Sequence, residues 1–566
     1  MVRRLLKDEA KSRLHKHIRH GNDPPDRLLK KLGDYMSGVA GAFLCSSTEP
    51  SPRVVNQLKT MIPTLALRGQ AGVVVAAFMQ ERGIRYGRAF QSADNSVRID
   101  CIEQDPRFRP HVAIAQIRSR SCGSGGDGDM QPIPAGTGTS GYFAISLDGA
   151  FVNADELRDE LLAHEQLTDA NTDSDLLLKW IERFCERDYW RHGLPANYEA
   201  IFREIDDRVD GAISALLIDR DGNLVAYRSR SGLRPLETMR TDNGFLLFAS
   251  ENCAFAGLKG KTQQLLPGSI QRVDAKTGDS VDHALNSRRY RAKLCAYETL
   301  YLGSPNTSVE GHSHLHTRYN IGLALGRIVA ERVQAEPLVT PPIVSSMPNT
   351  GGPYADGLFD SLAEQGVLAE RDDVVATHFL ERTLLGRPRG RQARIAQKYR
   401  VSEPAVARRT IVVVDEALIR GDTSQAVTTM LLAAGARAVH WAIGSPPIVA
   451  PNYYGMGIET LDELAFWQAL KRLPPELRAQ CLRFHRMDLP VLRTIESNIA
   501  TAIQAATITY LPFRALVSVL ADRLEGIDLS PFTFEMPTPA GRQRADRSLE
   551  ALLAALPVNP CLGSGS

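Results

Sequence analysis

Apolar residues, two adjacent acids and a small-residue turn follow one another in Ile411-Val-Val-Val-Asp-Glu-Ala-Leu-Ile-Arg-Gly-Asp-Thr-Ser424, an order that suits chemistry on a phosphorylated sugar. The continuous apolar run reads as a strand buried on both faces, and ligands of open parallel sheets sit at the carboxyl ends of such strands. A Gly-x-Thr-Ser loop that opens a helix offers free backbone N–H groups and the positive end of the helix dipole to an anion. Gly421 to Ser424 would therefore cradle a monophosphate, with the Thr423 and Ser424 hydroxyls as further donors. Asp415 and Glu416 stand where they can accept hydrogen bonds from a vicinal diol such as the 2- and 3-hydroxyls of ribose. Together these residues describe a ribose 5-phosphate seat. The alternative is an ordinary strand ending in a polar turn and a capped helix.

The elements around this segment must place it at the carboxyl end of a parallel sheet. Pro342 to Met347 reads as a strand that ends in Pro348-Asn-Thr-Gly-Gly352 and is followed by a helix with Ala355, Leu358, Phe359 and Leu362 on one face. A helix with Val427, Met430, Leu431 and Ala434 inward, stopped by Gly435, leads to a strand over Ala438 to Ile443 and completes a βαβ unit. From about Leu302 onward the rhythm is thus that of a parallel sheet with crossover helices. Between Gly38 and Asp274 the pattern differs: short apolar strands broken by Gly, Asp and Asn. Strands are expected at Val73–Phe78, Val112–Ile117, Ala215–Asp219, Leu224–Tyr227 and Phe245–Ser250, with helices at Asp155–Ala163 and Ser174–Glu186.

The 566 residues exceed what one hydrophobic core organises, so several domains are expected. Lys and Arg total 67 against 65 Asp and Glu, a formal charge of +2 that supplies no bulk field for nucleic acid or an anionic membrane. Any anionic ligand must be held by a local site. No run of about 18 apolar residues offers a membrane span. The eight cysteines are scattered, form no CxxC pair and fit a reducing cytoplasm. The N-terminal MVRRLLKDEAKSRLHKHIRH is basic but has no apolar signal-peptide core.

VVVDEALIRGDTS resembles the phosphoribosyl pyrophosphate (PRPP) motif of type I phosphoribosyltransferases, and the wider chain, from about Ser37 to Pro537, is similar to the glutamine PRPP amidotransferase family. Tyr301-Leu-Gly-Ser-Pro-Asn-Thr-Ser308 resembles that family's YFARPDS, and Arg318 with Gly322 falls on its Rx(L/M)G helix. Met347-Pro-Asn-Thr-Gly351 resembles the pyrophosphate loop PVPDSG, and Arg382-Thr383 the start of the loop that closes over PRPP. Ser445-Pro-Pro-Ile448 and Tyr453-Tyr-Gly455 resemble SPP(I/V)…FYG. Earlier in the chain, Leu67-Arg-Gly-Gln70 resembles HRGQ, Arg228 to Pro235 resembles RDPxGIRP, Ser250 to Ala254 resembles SES(C)A, and Pro267-Gly268 the PGE turn. The resemblance implies an N-terminal-nucleophile (Ntn) hydrolase-like αββα sandwich followed by a type I phosphoribosyltransferase α/β domain. The expected divisions are a basic extension over 1–36, a glutamine amidotransferase-like domain over 37–285, a transferase domain over 286–540 and a C-terminal tail over 541–566.

Departures from the pattern shape the functional expectation. A glutaminase of this class attacks with an N-terminal cysteine whose free amine serves as base. Here CGIVG falls on Ser37-Gly-Val-Ala-Gly41, a hydroxyl preceded by 36 residues. The oxyanion segment His-Asn-Gly falls on Leu147-Asp148-Gly149, so a carboxylate replaces an amide donor; loss of one such donor costs about 10²- to 10³-fold. Arg118 and Asp173 match the family's glutamine-binding arginine and aspartate, and equally suit a structural ion pair. The equivalent of the CxxCFTGxYP stretch, Asp528 to Pro537, lacks cysteine, so no iron–sulfur cluster is expected. In the phosphate loop Asp422 replaces a threonine; in the pyrophosphate loop Asn349 replaces Asp and Gly352 replaces Arg. Arg387, Arg389, Arg391 and Arg394 would offset that loss from the mobile loop, or form a solvated basic face.

The resemblance implies a PRPP-dependent transferase in which Asp415, Glu416 and Arg382 act at the reacting sugar, while Arg420, Gly421, Asp422, Thr423, Ser424, Pro348, Asn349, Thr350, Gly351 and Lys398 bind PRPP. Mg²⁺ is expected mainly through PRPP, near Asp415 and Glu416. Ser37, Arg118, Asp148, Gly149 and Asp173 form a degenerate glutaminase site, leaving ammonia, a partner's ammonia or another amine as acceptor. Two alternatives remain: a non-catalytic PRPP- or nucleotide-binding homologue that regulates or scaffolds a partner, and a full glutamine-dependent enzyme after N-terminal processing. Homo-oligomers are the family's tendency; a nucleic acid or a membrane is not an expected partner.

Overall fold

The computed structural model describes residues 37–555 except 46–52, 70–71, 92–96, 100–101, 103–104, 106, 119–132, 136–141, 164–171, 286–290, 335–339, 378–397, 483, 485–486 and 488. All of them fall in one contact unit, Gly33–Ser566. The first part is built on two sheets. One contains β1 (Ser37–Leu44), β2 (Gly72–Met79), β3 (Gly83–Gln91), β4 (Val97–Ile99), β5 (Val112–Arg118), β10 (Glu237–Thr241), β11 (Phe245–Ala249) and β12 (Gly260–Gln264), ordered 12-10-11-1-5-2-3-4. The other contains β6 (Ile133–Ala135), β7 (Phe143–Phe151), β8 (Gly211–Asp219), β9 (Leu224–Arg228), β13 (Ser269–Val273) and β14 (Ser280–Ala284), ordered 14-13-9-8-7-6.

Strand alternation builds the layers. Val39 and Phe43 of β1 join Ile114, Leu216, Ala226 and Phe248 in a core between the sheets. Ala40, Ala42 and Leu44, on the opposite face of β1, pack on Val54, Leu58 and Met61 of helix α1 (Arg53–Thr64). Ile145 and Leu147 of β7 pack outward on α2 (Ala154–Ala163), α3 (Asp173–Asp188) and α4 (Tyr198–Arg208). The result is the αββα sandwich the resemblance implied. The helices at 53–64 and 198–208 were absent from the expectation; α4 is amphipathic, with Tyr198, Ile201, Phe202 and Ile205 buried and Asn197 capping the Ala200 N–H at 3.2 Å.

The second part carries a five-stranded parallel sheet: β15 (Ile343–Ser346), β16 (Glu370–Arg371), β17 (Thr410–Asp415), β18 (Ala438–Ile443) and β19 (Thr507–Tyr510), ordered 16-15-17-18-19. Helices α5 (His314–Gln334) and α6 (Gly352–Glu364) pack closely together, and α7 (Asp422–Ala433) returns from β17 to β18. The run Ile411–Val414 is at most 1% exposed, as a strand covered on both faces must be. Residues 541–554, expected as tail, lie in α8 (Pro539–Ala554), whose Thr538 side chain bonds Gly541 N–H and Tyr454. The basic extension 1–36 lies outside the described residues.

Candidate functional site: a polar cavity and a closed charge cluster

The carboxyl ends of β15 and β17 meet because Met347 N–H donates to Val414 C=O at 2.8 Å. One cavity opens there, lined by Met347 to Thr350, Lys398, Tyr399 and the unbroken run Asp415 to Ser424, with Leu67 and Tyr301 completing it. Nearly every expected PRPP-binding residue that the structure describes thus reaches a single space; Gly351 stands behind the loop, where a Cβ would meet Met347 C=O at 2.6 Å. Arg382 and the four loop arginines lie outside the described residues.

Gly421 adopts φ +90°, the left-handed backbone that lets the chain turn from strand end into α7 without a Cβ penalty. That turn aims the first N–H groups of α7 at the cavity, the arrangement that suits a phosphate. Asp422 is the first residue of α7 and lines the cavity, beside the donors. Arg420 is already engaged: its guanidinium bonds Glu463 at 2.7 and 2.6 Å and Gly457 C=O at 3.2 Å. Asp415 is pushed well above the usual carboxylate range, first by burial and next by Glu416 beside it. Glu416 is 5% exposed, and its Oε2 has no hydrogen-bond partner among the described residues. Two adjoining carboxyl groups with an unmet acceptor form a donor set for a diol or a hard cation.

The residues expected for glutamine hydrolysis form a different kind of site. Ser37, 2% exposed, begins β1 and pairs in register with Arg118 at the end of β5. Its N–H approaches Asp148 Oδ1 at 3.4 Å, while its Oγ has no hydrogen-bond partner among the described residues. Gly149 has φ +129° and no room for a side chain, since a Cβ would fall 1.7 Å from Ala212 C=O. Asp173 accepts from Phe151 N–H at 3.0 Å and lies 4.0 Å from Arg158. Asp148 is fully buried and faces Arg68, whose guanidinium it meets at 2.8 Å. Arg68 also binds Glu251 at 2.5 Å and Glu298, and Arg234 binds Glu298 at 2.6 Å. Burial raises Asp148 above the ordinary carboxylate range; Glu251 and Glu298, although burial pushes them up, are held below it by Arg68, with Arg234 adding to the effect on Glu298.

The part of Arg68, Glu251, Glu298 and Arg234 in this cluster escaped the sequence reading. Arg68 and Glu298 are 230 positions apart, and no local pattern announces their pairing. Arg68 stood within a quoted motif, but no signal separated a glutamine-site arginine from the hub of an ion-pair cluster.

The iron–sulfur position is also occupied by other chemistry. Asp528 accepts from Ser530 N–H at 3.1 Å and Oγ at 2.9 Å. It pairs with Cys295 across a short parallel ladder, and Asn452 Nδ2 approaches Cys295 Sγ at 3.9 Å. One thiol beside a carboxyl and an amide does not match the thiolate set such a cluster requires.

A glutamine amidotransferase domain family matches residues 119–257. Amidophosphoribosyltransferase 2, chloroplastic, of Arabidopsis thaliana is 29% identical over 356 residues, covering 62% of this chain and 59% of that one. The amidophosphoribosyltransferase of Archaeoglobus fulgidus is 26% identical over 353 residues, covering 62% and 72%, and that of Bacillus subtilis 26% over 381 residues, covering 66% and 73%. The fold resembles the solved allosteric regulatory enzyme of purine biosynthesis (TM-score 0.67, 20% identity, 90% of this chain and 99% of that one). It also resembles the glutamine PRPP amidotransferase from B. subtilis complexed with ADP and GMP (TM-score 0.66, 21% identity, 89% and 98%).

Proposed function

We propose that this chain is a member of the amidophosphoribosyltransferase family that transfers the phosphoribosyl group of PRPP to ammonia or another amine, releases pyrophosphate, and lacks its own glutaminase activity. The observation that carries the transferase reading is the joining of 347–350, 398 and 415–424 around one cavity. The α7 N-terminus with Thr423 and Ser424 would hold the 5-phosphate, Asp415 and Glu416 the ribose hydroxyls, and the 348–350 loop the pyrophosphate. Pyrophosphate leaves C1 as positive charge develops on the sugar, and the amine lone pair attacks that carbon. The chain's contribution is orientation and charge placement.

Glu416 Oε2, unpartnered among the described residues, and the adjoining Asp415 fit Mg²⁺, carried in with PRPP. When bound, Mg²⁺ supplies Lewis-acid neutralisation of the leaving pyrophosphate. The loss of glutaminase chemistry rests on Ser37 and Asp148. Asp148 meets Arg68 at 2.8 Å, and by the resemblance it stands in place of a neutral oxyanion donor. Ammonia then comes from solution or from a separate supplier, and a reducing cytoplasm suits the free thiols of Cys45, Cys185, Cys253, Cys295 and Cys481.

The test is a pyrophosphate-release screen with PRPP, Mg²⁺ and ammonium or primary amines. Turnover with at least one amine is expected, abolished by Asp415→Asn. A chain that binds PRPP by calorimetry yet releases pyrophosphate with no amine is instead a PRPP-binding regulator or scaffold. Asp422 beside the phosphate donors favours that second reading.

A further inference from the structure

The layer between the two sheets of the first part changes character toward one side. Leu246 and Phe248 of β11, with Leu224 and Ala226 of β9, belong to the apolar core between the sheets. Cross-strand partners share a face, so each of these positions can be followed outward to the edge strands. Phe248 leads to Thr238 of β10 and then Gln263 of β12, and Leu246 leads to Arg240 and then Lys261. On the other sheet, Ala226 leads to Gln271 of β13 and then Asp282 of β14, and Leu224 leads to Val273 and then Ser280. Core-facing positions thus turn polar toward both edges, Val273 excepted.

A cavity of about 660 Å³ opens between these edges, a volume in the range of small-molecule sites. Arg240, Lys261, Asp242 and Asp282 line it, two cations and two carboxylates, and none of them forms an ion pair among the described residues. Arg240 and Lys261 stand directly opposite each other on one face, where like charges repel. Arg240 also spans the gap, its Nη2 donating to Ser280 Oγ at 2.7 Å. Gln271, on the wall of the cavity, is 4% exposed, and its Oε1 has no hydrogen-bond partner among the described residues. A buried amide oxygen left unmet costs free energy that a donor in the cavity would recover. Inward-pointing charges also keep edge strands from pairing with other chains. That role needs neither the open volume nor the unmet amide.

We propose that this cavity binds a small zwitterion, an α-amino acid with an uncharged polar side chain. The carboxylate meets Arg240 and Lys261 and relieves their repulsion. The ammonium donates to Gln271 Oε1 and faces Asp282, the register partner of Gln271. Thr238, Thr241 and Gln263 offer hydroxyl and amide groups to the side chain. A plain anion would leave Gln271 Oε1 without a donor and would face Asp242 and Asp282, whereas a net-neutral ligand with separated charges complements both walls. The site is separate from that of Ser37: Arg240 lies beside the thiol of Cys45, just beyond Leu44, and Ser37 stands at the other end of β1.

Equilibrium dialysis of the full-length chain against labelled L-serine, L-threonine and L-asparagine tests the assignment. At least one is expected to bind, and its N-acetyl and carboxamide forms, which lack the ammonium and the carboxylate, to bind about tenfold or more weakly. Arg240→Gln and Asp282→Asn, both at exposed positions, are each expected to weaken binding by a similar factor with urea melts unchanged. Gln271→Leu is expected to act in the same direction, and the exposed pair keeps the test open if that buried change disturbs the fold. Binding of none of these amino acids overturns the site and leaves the inward charges as edge protection. Binding that tolerates loss of the ammonium, or that persists when Arg240→Gln and Asp282→Asn are combined, overturns it as well.

Discussion

The closed cluster around Ser37 and the cavity at the end of β17 both bury carboxyl groups, but they settle them in opposite ways. Around Ser37 the acids Asp148, Glu251 and Glu298 are met by the guanidinium groups of Arg68 and Arg234 at hydrogen-bonding distance. At the end of β17, Asp415 and Glu416 lie against each other, Asp415 is forced toward its neutral form, and Glu416 Oε2 has no partner among the described residues. The first arrangement sets a guanidinium group against each acid; the second leaves Glu416 Oε2 without a hydrogen-bond partner among the described residues and Asp415 eased by Lys398 less than burial and Glu416 raise it. Acids each met by a guanidinium group do structural work, whereas a raised, crowded pair favours a ligand that relieves it.

This contrast breaks most sharply at Asp415 and Glu416. Asp415→Asn with Glu416→Gln is expected to lower pyrophosphate release by about 10³-fold while leaving thermal stability unchanged or raised, because it removes acceptors that ligand needs and repulsion that the fold endures. A large loss of stability in that double variant would mean that the acids are structural. The same pair predicts proton release on binding. Asp415 is raised in the folded protein and must ionise to serve a diol or cation, so affinity for PRPP with Mg²⁺ rises with pH through its titration. Calorimetry in buffers of differing ionisation enthalpy measures it, and proton uptake would contradict it.

The converse experiment strikes the cluster around Arg68. Arg68→Met leaves Asp148, Glu251 and Glu298 without their shared cation and is expected to cost about 3–5 kcal/mol in urea unfolding. A cost below about 1 kcal/mol would show the cluster to be dispensable.

Asp528 sharpens the comparison as a buried carboxyl of intermediate kind, held by Ser530 hydrogen bonds and raised by burial from 3.8 to about 6. A raised value favours the folded state below the unfolded value, and that contribution is lost as pH rises through about 6. Asp528→Asn should therefore gain stability relative to the unaltered chain between acid and neutral pH, by up to about 3 kcal/mol at about 1.4 kcal/mol per pH unit. Urea melts across that range check the slope, and a difference that does not change with pH would refute it.

The strands of both parts were legible because their periodicity is local: Val73–Phe78 and Ile411–Val414 read as strands before any contact was known. The lining of the cavity by 415–424 was legible because those residues are contiguous along one strand end and turn. The cluster around Arg68 was not, since its members lie on β7, after β11, before β10 and at the π-helical turn Glu298–Leu302, and only the fold brings them together. Asp148 therefore read as a lost oxyanion donor; the structure adds that it gained a cation. Helix α1 escaped because Pro63 lies within it, although Val54, Val55, Leu58, Met61 and Ile62 recur at helical spacing.

A smaller effect follows for Asp148 itself. Asp148→Asn removes one of three acids facing two guanidinium groups, and is expected to change stability by about 1 kcal/mol or less. It is not expected to restore glutamine use, because Ser37 remains behind an N-terminal extension.

The division between a closed site and an open one is tested most directly by a single ratio: the rate of pyrophosphate release from PRPP and Mg²⁺ with glutamine, divided by the rate with ammonium, on the purified full-length chain. Loss of the thiol nucleophile and of one oxyanion donor predicts a ratio below about 1%. A ratio near unity, with glutamate formed in step with pyrophosphate, would contradict the account at its centre.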